Sequence, residues 1–141
     1  MRFLWGFVVR EQSLTVDIPP NEWLTANARF GHPLARASRV KRLRRRSHML
    51  ARSQGLEPVS GLVRIRASVV GRQRRRSDPN NAADATKALV DGLRDAGVLK
   101  DDDYSHVIGP DHRIGDPDPL LPKGWHRIVL ELIELDAKVR V

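Results

Sequence analysis

The chain reads as an α+β fold, a small mixed β-sheet packed against two principal α-helices. Two patterns predict it. Stretches rich in β-branched and alternating apolar residues stand near the start, in the middle and at the end, as strands require. Between them lie two stretches whose apolar residues recur every three or four positions, as one face of a helix requires. Length bounds the answer further: 141 residues suit one domain, spanning 1–141, and 40% hydrophobic content is that of a folded protein. No repeat or internal linker divides the chain.

Taken in order, FLWGFVVR (3–10) and SLTVDI (13–18) read as two strands around a polar break, a hairpin stopped by Pro19 and Pro20. Residues 21–33 read as a loop closed by Gly31 and Pro33. Residues 34–54 suit a helix in which Leu34, Ala37, Val40, Leu43, Ser47 and Leu50 form a narrow stripe beneath an arginine-rich face. Gly55 would stop it, with Pro58 beyond. Residues 62–71 predict a half-buried strand, with Val63, Ile65, Ala67 and Val69 inward and Arg64 and Arg66 outward. The turn SDPNN leads into a second helix, about Ala82 to Ala96, with Asn81 as its N-cap, Asp84 at the capping-box position and Gly97 as its end. Residues 101–124 read mostly as loop, with a short strand at His106–Ile108. WHRIVLELIEL (125–135) predicts a final strand with Ile128, Leu130, Leu132 and Leu135 in the core.

A formal charge of +8 and a pI near 10.9 call for a polyanionic partner, nucleic acid or an acidic membrane surface. The distribution says more than the total. From Leu34 to Arg76 fourteen Lys or Arg face the single acid Glu57, whereas from Ser77 to Asp118 ten Asp face Lys87, Arg94, Lys100 and Arg113. A purely basic binding protein needs no such reversal. The absence of cysteine excludes a disulfide framework and a cysteine zinc site, and agrees with a reducing cytoplasm. No apolar run approaches the roughly 18 residues of a membrane span, and no signal peptide is expected at MRFLWGFVVREQ.

The acids gather around the second helix. Ala85, Ala88, Leu89, Gly92, Leu93 and Ala96 fall on one of its faces; Asp84, Lys87 and Asp91 fall together on the other. Asp78 stands just before it, and Asp101, Asp102 and Asp103 follow it. Singly, these acids have structural roles open to them: a cap, a turn, or an ion pair such as Asp91 with Arg94. Three adjacent aspartates repel one another, with a solvated acidic loop as the ordinary account.

In order, the chain carries RRSDPNN (75–81), KALVDGL (87–93), DAG (95–97) and DDD (101–103), preceded by LTANARFGHPLARA (24–37). This resembles the RusA family of Holliday-junction resolvases over roughly residues 13 to 135. The resemblance implies a RusA-like fold, a homodimer, and Mg²⁺-dependent endonucleolytic cutting of four-way DNA junctions in recombination or repair. Mn²⁺ is a possible substitute. Residue by residue, Asp78 matches the family's first metal carboxylate, Asp102 its late one with Asp101 beside it, and Lys87 the lysine needed for cleavage. Asp91 matches an acid on the same helix. Where the family often has a second carboxylate this chain has Asn80, followed by Asn81, and three additional residues precede Lys87. Either Asn80 coordinates or Asp84 takes the second acidic position, and the sequence leaves both open.

Such a site has a stated chemistry. Mg²⁺ binds one or two carboxylates plus phosphate, and the expected set is Asp78 and Asp102 with Asp101 or Asp84. Lys87 would stabilise transition-state charge. Arg72, Arg74, Arg75 and Arg76 would draw the scissile strand to Asp78, while Arg39, Lys41, Arg42, Arg44, Arg45 and Arg46 would hold a duplex arm through its phosphates. The alternative is a non-catalytic DNA- or RNA-binding protein of the same fold with a degraded metal site, raised by Asn80. A membrane partner would leave the helix acids without a task. The five histidines show no paired ligand spacing and read as surface or loop residues, and Trp5, Trp23 and Trp125 as packing.

Overall fold

The structure, a computed structural model, describes residues 8–26, 28–74, 76–102 and 105–135. Along the chain these form β1 (Val8–Ile18), α1 (Pro33–Ser53), β2 (Val63–Val70), a short 3₁₀ turn (Pro79–Ala82), α2 (Ala83–Asp95), β3 (Val107–Ile114) and β4 (His126–Leu135). The sheet runs β1-β4-β2-β3. β4 pairs antiparallel with both β1 and β2, and β3 pairs parallel with β2, so the sheet is mixed, as expected. A parallel neighbour needs a crossover, and α2 supplies it.

Alternation places one face of the sheet under the helices. Leu14 and Val16 of β1 lie opposite Leu130 and Ile128 of β4, which lie opposite Ala67 and Val69 of β2. With Ile65, Leu132, Leu43 of α1 and Leu89 and Leu93 of α2 they build one core. The two helices touch at a point without side-chain bulk. A Cβ on Gly92 would stand 2.3 Å from the Arg44 carbonyl oxygen and 2.6 Å from Ser47 Cβ. At that crossing the buried Ser47 hydroxyl donates to the Leu89 carbonyl at 2.6 Å.

Four expectations are corrected. First, the N-terminal hairpin is one continuous strand from Val8, and residues 3–7 lie outside the described residues. Its polar break does not turn the chain: the Gln12 amide donates to the Glu57 carbonyl at 3.0 Å and accepts the Glu57 N–H at 2.7 Å, clasping the loop after α1. Second, β3 has eight residues where three were expected, because β2 offers a parallel ladder, interrupted at a register shift beside Gly109. Third, α2 is capped by Ala82 without a side-chain bond. Asp78 instead caps the 3₁₀ turn, accepting the Asn80 N–H at 2.9 Å. Fourth, strict alternation in β4 buries Glu134 and turns Leu135 outward.

The buried Glu134 is satisfied: it accepts from the Ser60 N–H (2.8 Å), the Ser60 hydroxyl (2.9 Å) and Arg10 Nε (3.0 Å). Burial alone would push its carboxyl up, but the Ser60 and Arg10 bonds win and hold it below the usual range. In α1, Leu43, Ser47 and Ala51 are buried, whereas Leu34 (69% exposed) and Ala37 stand clear of the sheet. No helix among the described residues is long and apolar enough to cross a membrane.

Candidate functional site

The return of the chain after α2 builds the first half of the site. Gly97 takes φ +79°, and the Val98 N–H donates to the Leu93 carbonyl at 3.0 Å, reversing the chain at the helix end. Buried Val98 and Leu99 anchor the returning strand of chain, so Asp101 and Asp102 come to lie beside the outer face of α2. There Lys87 Nζ donates to Asp102 Oδ2, and to Asp91 Oδ1 at 3.1 Å. Arg94 Nη1 lies 3.5 Å from Asp102 Oδ1 and 3.6 Å from Asp101 Oδ1. Asp101 Oδ1 accepts the Asp102 N–H at 2.7 Å, fixing the acid pair to one another.

These contacts set the charges. The hydrogen bond to Asp102, with Asp91 assisting, holds the Lys87 ammonium above the ordinary lysine range. The same bond, aided by the Asp101 contact and Arg94, holds Asp102 below the ordinary carboxylate range. At neutral pH Lys87 is therefore a fixed cation beside an ionised Asp102, unsuited to general-base work.

Asp78 belongs to the second half. It is exposed on the wall of a cleft of about 430 Å³, which Arg72, Arg74, Asn81 and Lys123 also line. The backbone carbonyl of Asn81 accepts the Ala26 N–H at 3.1 Å, tying the loop before α1 to this wall. Behind Asp78, His112 of β3 is half-buried, its Nε2 3.1 Å from Thr86 Oγ1 on α2. Burial pushes this imidazole below the usual histidine range, against the opposing charges of Asp111 and Asp78. His112 was missed in the sequence because residues 109–114 do not read as a strand, so nothing assigned it an inward face.

Of the other expected residues, Asp84 pairs with Arg36 of α1 at 3.0 Å and Asn80 is exposed beside Asp78. Asp103 and Arg75 lie outside the described residues. Among the described residues no three His, Asp or Glu side chains are grouped to hold a metal ion. The expected set is thus divided, with Asp101 and Asp102 at Lys87, Asp78 on the cleft, and Asp84 on Arg36.

The arginine face of α1 is corrected in part. Arg39 Nη1 donates to the Trp23 carbonyl at 2.7 Å, and its guanidinium lies over the Phe30 ring, 5.1 Å from the centroid. Arg44 grips Asp95 through two bonds of 2.5 and 2.7 Å, and Arg46 pairs with buried Glu22. These three build the fold. Lys41, Arg42 and Arg45 remain exposed and have no ion-pair partner among the described residues, as do Arg72 and Arg76; Arg74 meets only the exposed Asp116, at 3.1 Å. The chain matches no family model and no curated protein.

Proposed function

We propose that this protein is a metal-dependent, structure-selective endodeoxyribonuclease of the RusA type that cuts four-way DNA junctions. The observation that supports it most is the contact of Lys87 with Asp102. These are two of the three residues, with Asp78, to which the resemblance gives catalytic roles, and they meet across fifteen positions of sequence. A phosphodiester attacked in line by water gathers negative charge on its phosphoryl oxygens. Lys87, kept cationic by Asp102 and Asp91, is suited to stabilise that charge.

The donor chemistry fits a hard divalent ion in its sparse mode, one or two carboxylates with water and substrate phosphate completing the shell. Asp78 and Asp102, with Asp101, are the residues that the resemblance assigns to Mg²⁺ or Mn²⁺. Asp101 and Asp102 stand together at Lys87 whereas Asp78 stands on the cleft, so the ion would have to join these two halves of the site. The ion, when bound, supplies polarisation of the phosphate and a more acidic water. Arg72 and Arg76 flank Asp78 and would guide the scissile strand; Lys41, Arg42 and Arg45 would take phosphates of a duplex arm. A homodimer would present two such sites to the two symmetric strands of a junction.

One observation favours the second reading, a non-catalytic DNA- or RNA-binding protein of this fold. Asp84 is engaged by Arg36, and at the position where the family often has a second carboxylate Asn80 stands beside Asp78. Cleavage of a synthetic four-way junction, beside linear duplex, with Mg²⁺ and with EDTA, separates the two. Paired cuts lost with EDTA and in Asp102→Asn, with binding intact, are the expected result. Tight junction binding without cutting in Mg²⁺ or Mn²⁺ would select the binding protein.

A further inference from the structure

The cleft beside Asp78 has a floor that phosphate recognition does not require. Trp23, from the loop after β1, and His126, the first residue of β4, stack with ring centroids 4.1 Å apart and planes within 6°. Trp125 lines the same cleft, and the cations Arg72 and Lys123 lie on it. The platform is braced from behind. The Trp23 N–H donates to the Pro19 carbonyl at 3.1 Å, and Arg39 holds the Trp23 carbonyl. On the other side Gly124 turns the chain at φ +82°, where a Cβ would stand 2.8 Å from Pro20 Cγ. The segment carrying Lys123, Trp125 and His126 is thereby seated against the segment carrying Trp23.

We infer that this cleft takes one unpaired nucleotide of the strand running past Asp78. Its base lies against the aromatic surface of Trp23, His126 and Trp125, and its phosphate on Arg72 and Lys123. The inference rests on the nucleic-acid reading of the site above. Three properties fit that occupant. The volume, about 430 Å³, lies within the range of small-ligand pockets. Aromatic faces stack on any base, and flanking cations neutralise its phosphate. A base inside a duplex is already stacked on both sides, so only a nucleotide at a branch point, a frayed end or a single strand can offer its face. The cleft would thus select branched DNA by the bases it leaves unpaired, next to the acid proposed to bind the metal.

Fluorescence anisotropy in EDTA tests this without reference to cutting. The probes are a short single-stranded DNA, the same strand with its bases replaced by abasic sites, and the four-way junction. Wild-type protein should bind the intact strand roughly tenfold more tightly than the abasic one, the worth of one stacked base. Trp125→Ala and His126→Ala should each reduce that difference while leaving abasic binding unchanged. Equal binding of intact and abasic strands by wild type overturns the inference, as does a preference untouched by both substitutions. If the junction is still bound in either case, the nuclease reading stands alone. If no DNA is bound, both fall. The wild-type comparison is decisive even where a substituted protein fails to fold.

Discussion

Lys87 touches two carboxylates, Asp102 and Asp91, and its 62% exposed side chain stays open to a third anion. That is the arrangement expected of a positioned cation. Lys87→Met should lower junction cutting by about a hundredfold or more while junction binding changes only a few-fold, because one charge aimed at the transition state is worth that much. Gel assays of cutting and binding on one preparation check it; equal loss of both would make Lys87 a simple phosphate contact. Asp102 carries the pH prediction. Its folded-state pKa lies below its unfolded one, so its stabilising contribution is present above about pH 4 and is lost as pH falls through the lower folded value. The stability difference between wild type and Asp102→Asn should therefore be constant from about pH 5 to 8 and shrink only in acid. Urea titrations across pH measure it, and a difference that changes near neutrality would contradict the pairing. At this scale the sequence was legible where spacing alone brings residues together, as with Lys87 and Asp91. His112 was not legible, because its role depends on a strand whose partner lies far away in sequence.

Helices show why elements differ in legibility. Both helix spans follow from their periodicity, which is local. The choice of Ser47 and Gly92 within the apolar stripes is explained only by the crossing of α1 and α2, where each removes bulk from a contact set by the other. Gly92→Ala should therefore destabilise the protein by about 2 kcal/mol, since overpacking against the Arg44 carbonyl outweighs the roughly 1 kcal/mol gain in helix propensity. Chemical denaturation followed by circular dichroism measures this; a stabilised Gly92→Ala would mean that the helices separate at no cost. β3 hid for the opposite reason. Gly109 and Pro110 are poor strand residues, and a parallel ladder with β2 across more than forty positions overrides that preference. The polar break in β1 misled because Glu11 and Gln12 look like a turn, whereas Gln12 spends its amide on Glu57.

Across the whole molecule the charge reversal seen in the sequence becomes a division of labour, though not the one that counting arginines suggests. Ten cations, eight of them along α1 and the approach to Asp78 in unbroken runs, looked equivalent as letters. Burial and pairing separate them, because a guanidinium beside Asp95, buried Glu22 or the Trp23 carbonyl stabilises the fold and releases no counterion from DNA. Only the exposed, unpaired group should contribute to the salt dependence of binding, about 0.9 per phosphate neutralised on duplex DNA. Two substitutions on the same helix isolate the effect. Arg42→Ala should flatten the plot of log binding constant against log salt by about 0.9 for each protomer bound. Arg44→Ala should leave the slope unchanged and instead lower stability, since it removes both bonds to Asp95. Junction binding in EDTA over a range of salt, with the bound stoichiometry fixed by sedimentation, reads both. Should Arg44→Ala flatten the slope as much as Arg42→Ala, the Arg44–Asp95 pair opens on DNA, and the surface that meets the substrate is the whole arginine face of α1.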